Sequence, residues 1–163
     1  MTVPAIDPTL DLTIQRVIRA PREALWRAWT EPALLEQWWV PAPAVSRVDR
    51  LEVHPGGGFV TRMSEDGQTF FPHTNGIFLV VEEARRLVFT NAIDSAWRPA
   101  APAPVLMTAE IVFDAHPEGT EYRAIVRHGN PKDRDLHEEL GFFDGWGSVT
   151  EALAALVEKG AAS

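Results

Sequence analysis

The sequence predicts an α+β domain in which a curved antiparallel sheet packs against a long C-terminal helix. Apolar and polar residues alternate in short runs from Val45 to His128, with turn residues and no helical stretch between them. Strands that follow one another through turns pair antiparallel. Phe142, Trp146, Val149, Leu153 and Leu156 then recur at spacings of four, three, four and three, an apolar stripe on one helix face. The helical patterns lie at the two ends of the chain, which segregates the helices to one face of the sheet.

Taken in order, residues 1–9 hold two prolines and little pattern and read as a flexible arm, with a single domain over 10–159. Leu10, Leu12, Ile14 and Ile18 mark a first strand, which Ala20-Pro21 ends. Pro21 suits a helix start, Glu23 falls in the first turn, and Leu25, Ala28 and Trp29 share a face. Thr30 is placed to cap a second short helix carrying Leu34, Leu35, Trp38 and Trp39. About six strands follow. Gly56-Gly57-Gly58 and Asp66-Gly67 mark turns, and Gly76 inside the Phe70–Val81 strand marks a bulge or bend. Ser95 to Pro104, with Trp97, is a Pro/Ala loop long enough to cover something. Asn130 as N-cap and Pro131 at the first position open the final helix, which the spacing runs on to Gly160. Gly141, Gly145 and Gly147 inside it imply close backbone approach or a bend.

Composition narrows the function classes. The chain has 163 residues, 45% of them hydrophobic, and a net charge of −8 with no basic run. That field opposes a phosphate backbone, so no nucleic-acid partner is expected. The absence of cysteine removes disulfides, thiolate catalysis and zinc–thiolate sites. No apolar run approaches the roughly 20 residues that span a bilayer, and the first ten residues have no signal-peptide pattern, so a cytoplasmic protein without membrane insertion is expected. Six tryptophans, four of them between Trp26 and Trp39, are the unusual feature; such side chains fill cores and shape pockets.

The residues also resemble a known family. The stretches are Ala20-Pro21, Trp26, Ala28-Trp29-Thr30, Pro32, Trp38-Trp39, Pro41, Pro55-Gly56-Gly57, Gly76, Arg86-Leu87-Val88-Phe89-Thr90, Gly119-Thr120 and Gly145-Trp146. Their joint order and spacing, from about Leu12 to Leu156, is similar to the START-like (SRPBCC) superfamily, and within it to the C-terminal domain of the heat-shock-protein-90 ATPase activator. The resemblance implies a helix-grip (START-like, Bet v-like) fold and a cavity of the kind that holds lipids, sterols, hormones or polyketides. Some members are aromatase/cyclases. The full-length activator has a separate N-terminal domain that these 163 residues do not contain, which sets a chaperone role behind ligand binding.

With that fold, Trp38, Trp39, Phe59, Phe78, Phe89, Phe142 and Trp146 point into the space between sheet and helix. They either fill it as core or line a cavity for an apolar, lipid-like or aromatic molecule. His128 falls in register with Tyr122, Ala124 and Val126, and His73 with Asn75 beside the Gly76 bend, so His73, Asn75 and His128 are candidate anchors for a polar group of the ligand. Each histidine is equally explained as a buried ring satisfied by a carbonyl. Arg62 lies opposite Phe59 on its strand, and His137-Glu138-Glu139 reads as a solvated helix face. The five histidines show no i, i+4 pair, so no metal and no cofactor are expected. No serine stands in a Gly-x-Ser-x-Gly context, and no catalytic residue is assigned. Binding without catalysis leads; a cyclase-like or hydrolytic enzyme using the same cavity, or an interaction module for a chaperone partner or a homodimer, are the alternatives.

Overall fold

Strand alternation is realised as one seven-stranded antiparallel sheet in the computed structural model, which describes residues 3–161. The strands are β1 (Asp11–Ile18), β2 (Val45–Leu51), β3 (Gly58–Ser64), β4 (Phe71–Glu82), β5 (Arg86–Thr90), β6 (Thr108–His116) and β7 (Gly119–Arg127). Their order across the sheet is β1-β7-β6-β5-β4-β3-β2. After β1 the chain crosses to the far edge through α1 (Arg22–Thr30) and α2 (Pro32–Leu35), then meanders back until β7 pairs with β1. Short turns suffice for the return steps except that from β5 to β6, where the long loop 91–107 intervenes.

The sheet's inner face follows the period-2 pattern. Ala109, Ile111 and Phe113 on β6 lie opposite Val126, Ala124 and Tyr122 on β7, and all are buried. Leu87 and Phe89 on β5 continue that surface, and Val149, Leu153 and Val157 of the C-terminal helix cover it. Glu110, on the outer face, is buried between Arg127 at 2.9 Å and Arg86 at 3.3 Å.

Gly76 has a specific job. A Cβ there would sit 2.0 Å from the Thr90 carbonyl oxygen, so only glycine lets β4 approach β5 this closely. Two of the sheet's irregularities flank it: the β3–β4 register slips between Thr61 and Arg62, and the β4–β5 register between Phe78 and Val80. Bulges of this kind bend a strand.

Two local expectations are corrected. Thr30 does not cap the second helix; its hydroxyl donates to the Trp26 carbonyl at 2.7 Å, and Glu31 holds the cap position. A threonine inside the last turn of a helix finds the i−4 carbonyl within reach. The C-terminal helix is also not continuous from Asn130. It divides into α3 (Pro131–Glu139) and α4 (Phe142–Ala161), with Gly141 between them at φ +96°. Asn130 caps α3 as expected, its Oδ1 accepting from Asp133 N at 2.8 Å. But residues 131–139 contain one apolar side chain, Leu136, so nothing keeps α3 on the line of the α4 stripe. Of the two causes anticipated for the helix glycines, a bend holds at Gly141. Close approach holds at none, since a Cβ on Gly141, Gly145 or Gly147 would meet nothing within 4 Å.

Candidate functional site

The aromatic residues that follow β1 become one wall of a cavity between the sheet and α4. Trp29 leaves the inner face of α1, and Trp38 and Trp39 leave the turn after α2; their rings meet edge-on, with Trp29 4.9 Å from Trp38 and 5.2 Å from Trp39. Every one of these indole N–H groups has an acceptor: Trp29 Nε1 donates to Tyr122 Oη at 3.2 Å, Trp38 Nε1 to the Ala28 carbonyl at 3.0 Å, and Trp39 Nε1 to Thr74 Oγ1 at 3.0 Å. The rings are thereby fixed and turn hydrocarbon surface to the interior.

The cavity has a volume of about 270 Å³. Trp29, Trp38, Phe89 and Tyr122 are its buried floor, and Pro41, His73, Ala103 and Pro104 are exposed at its mouth. Gly145, Trp146 and Val149 of α4 close the side facing the sheet. The loop after β5 reaches the mouth because Asn91 holds it: Asn91 Nδ2 donates to the Val105 carbonyl at 3.0 Å, and Asn91 Oδ1 accepts from Met107 N at 2.8 Å.

The ten residues singled out from the sequence separate into two groups. Trp38, Trp39, His73, Phe89 and Trp146 line the cavity. Phe59 and Phe78 lie behind it, stacked on each other at 5.2 Å, with Phe59 in edge contact with Phe89. Phe142 packs on Trp146 at 5.5 Å rather than on the open space. Asn75 is exposed on the outside, where its Oδ1 accepts from Ser95 N at 2.9 Å. His73 and Asn75 do not act together because the β3–β4 slip falls at His73: Thr61 pairs with Thr74 and Arg62 with Pro72, leaving His73 as the extra residue. Its Nδ1 lies 3.4 Å from Thr61 Oγ1 and 3.5 Å from Thr74 Oγ1. The residue is exposed at the mouth, yet the protein around its ring lowers its pKa by desolvation. Arg62 pairs with Asp49 at 2.8 Å on the outer surface. Trp97 packs over Gly56 on the outside, its Nε1 donating to the Gly56 carbonyl at 2.8 Å.

His128 is buried, and His137 comes with it. His128 Nδ1 lies 2.8 Å from the Leu10 carbonyl, and His128 Nε2 lies 2.8 Å from His137 Nδ1. His128 therefore stands one residue back from the cavity, and His137 is the ring that lines it. The solvated face expected for His137-Glu138-Glu139 is corrected: Glu138 and Glu139 are exposed, while His137 turns inward between His128 and Phe142. Desolvation, then the proximity of His128, pushes the His137 pKa down to about 4. Sequence reasoning also omits Tyr122 and Gly145 from the site. The in-register alternation that places His128 inward places Tyr122 inward too. Tyr122 is 1% exposed, and burial raises its pKa.

Among the described residues no cluster of three or more His, Asp or Glu could hold a metal ion, and no helix is long and apolar enough to cross a membrane.

A curved antiparallel sheet closed by a C-terminal helix over an aromatic cavity defines a helix-grip α+β domain. The chain belongs to the family described as Activator of Hsp90 ATPase homolog 1-like protein, whose model matches residues 19–158. A crystal structure of a protein from Nitrosomonas europaea is similar at 38% identity and a TM-score of 0.86, covering 96% of this chain and 99% of that one. A Mycobacterium smegmatis protein shares the fold at 22% identity and a TM-score of 0.75, covering 91% of each chain. An AHSA1-like protein from Aeromonas hydrophila does so at 22% identity and 0.63, covering 94% of this chain and 96% of that one. No curated protein matches.

Proposed function

We propose that this domain binds a small, mainly apolar molecule in the cavity between the sheet and α4. The observation that carries the reading is the floor itself: Trp29, Trp38, Phe89 and Tyr122 are buried, yet they border open volume instead of filling it. Interiors ordinarily pack without such space, and an apolar cleft with few polar groups is the usual form of a ligand site. The volume sets the size of the guest. An apolar cavity of about 150 Å³ is enough to take up benzene, so about 270 Å³ suits one or two fused rings or a short acyl chain rather than a sterol. The helix-grip fold, with open volume between the sheet and α4, supports the same reading.

Naphthalene is a suitable probe. Its binding is expected to shift the indole N–H resonances of Trp29, Trp38, Trp39 and Trp146 and to raise the melting temperature. A ligand present at 100 times its Kd stabilises the native state by about 2.7 kcal/mol. Unmoved indole resonances and an unchanged melting temperature, with naphthalene and with short-chain fatty alcohols alike, would refute the reading.

A further inference from the structure

The hydrogen bonds behind the cavity fix the polarity of one of its walls. A carbonyl oxygen only accepts, so the 2.8 Å contact with Leu10 places a proton on His128 Nδ1. His128 is buried, and among the described residues no carboxylate bonds to it. A second proton on that ring would be a buried charge without a counter-ion, which is costly. His128 Nε2 is then a bare lone pair, and the 2.8 Å contact requires His137 Nδ1 to carry the proton that bridges them. One lone pair remains, on His137 Nε2. It forms no hydrogen bond with any described residue, and its ring lines the cavity.

A second polar group points to a ligand independently. The Tyr122 hydroxyl accepts from Trp29 Nε1 at 3.2 Å, but its own proton goes to no described acceptor, although the residue is 1% exposed and lies on the cavity floor. Buried donors are ordinarily satisfied. Behind its mouth, where His73 Nε2 is also without a described partner, the cavity thus offers an unused acceptor at His137 and an unused donor at Tyr122 among aromatic rings. It offers no cation, since no Lys or Arg is in its lining.

We propose that the guest is a neutral, hydroxyl-bearing aromatic molecule of one or two rings, held by a hydrogen bond from its hydroxyl to Nε2 of His137. The inference rests on the ligand-binding reading above and narrows it to a chemical class. An oxygen of such a guest satisfies the Tyr122 hydroxyl. Carboxylates are excluded: they would enter an uncharged site without a partner, in a protein of net charge −8. The low pKa of His137 supports the assignment, because it keeps the ring neutral at pH 7.

The test is a matched series: naphthalene, 2-naphthol, 2-methoxynaphthalene and 2-naphthoate, titrated at pH 7.5 by calorimetry. A hydrogen bond that the ether cannot make should favour 2-naphthol over 2-methoxynaphthalene by about three- to tenfold. The anion should bind at least about tenfold more weakly than 2-naphthol. His137→Phe should bring the 2-naphthol to 2-methoxynaphthalene ratio to about one, whatever it does to both affinities. A measurement on the unaltered protein guards against a variant that does not fold. Long-range ¹⁵N–¹H spectra of histidine-labelled protein should show protons on Nδ1 of both His128 and His137. A proton on His137 Nε2 instead, or equal affinities for naphthol and ether, overturns the inference while naphthalene binding leaves the broader reading standing. Failure of all four probes to bind overturns the inference, and failure of the short-chain fatty alcohols as well overturns both.

Discussion

Filling the cavity from α4 should remove binding while raising stability, and Gly145 is the position for it. This residue lies in the first turns of α4 and lines the cavity, and a Cβ built on it meets nothing within 4 Å. Its backbone is helical, so glycine there brings no conformational benefit and costs about 0.5–1 kcal/mol relative to alanine. Gly145→Ala should therefore stabilise the fold by about that amount, raising the melting temperature by about 2–4 °C per kcal/mol for a chain of this size. Gly145→Leu keeps most of the helix gain and puts an isobutyl group into a volume of about 270 Å³. Removing that apolar surface from water adds about 25 cal/mol per Å². Leucine then competes with a guest for the same space, and naphthalene affinity should fall by more than about tenfold, at least 1.4 kcal/mol. Thermal unfolding followed by circular dichroism and calorimetric titration report the two effects separately. A less stable Gly145→Leu protein that still binds naphthalene would refute the placement of this helix face against a guest.

Other expectations follow from the same geometry. Glu110→Ala leaves Arg86 and Arg127 without their shared carboxylate, whose side chain is 4% exposed. Breaking a buried pair costs about 3–5 kcal/mol, and urea denaturation should show a loss near the lower end, because the arginines keep 18% and 20% exposure. Gly76→Ala drives a Cβ to 2.0 Å from the Thr90 carbonyl and should destabilise strongly, by about 3 kcal/mol or more, measured in the same way. The His137 pKa is lowered from 6.5 to about 4. Between those values the unfolded chain binds a proton that the native protein refuses. The stabilisation is complete above pH 6.5 and declines as pH falls towards 4; the ring is only partly buried, so solvent screening keeps it well below the full shift's value of about 3 kcal/mol. Subtracting the stability profile of His137→Phe from that of the unaltered protein isolates this contribution, and a flat difference between pH 4 and 6.5 would contradict it.

The parts of this fold that the sequence makes legible are those with a period. Alternation at Ala109, Ile111 and Phe113, and again at Tyr122, Ala124 and Val126, fixes both strands and the faces they bury. The stripe from Phe142 to Leu156 does the same for α4. The site is less legible because its placement depends on aperiodic events. His73 and Asn75 share a face only if the strand is regular, and the slip against β3 is a property of the pair of strands, invisible in either alone. His137 sits in a charged run whose appearance is that of a solvated surface. It turns inward because Gly141 takes a left-handed conformation and frees α3 from the line of α4. The signal was present in residues 131–140, which carry too few apolar side chains to extend the stripe. Phe59 and Phe78 fall on the correct face, but two layers of rings stand there, and alternation does not say which layer borders open space.

The binding chemistry traces back to strand pairing. Leu10 immediately precedes β1, and its carbonyl takes two hydrogen bonds from one residue, from His128 N at 3.1 Å and from His128 Nδ1 at 2.8 Å. The first extends the β1–β7 ladder by one step beyond Asp11 and Arg127. The second orients the ring and sets its tautomer. That tautomer sets His137, and His137 decides whether the cavity wall accepts or donates. An accepting wall suits a guest that can donate, so the pairing of the edge strand β1 with β7 also bears on which guests the cavity suits.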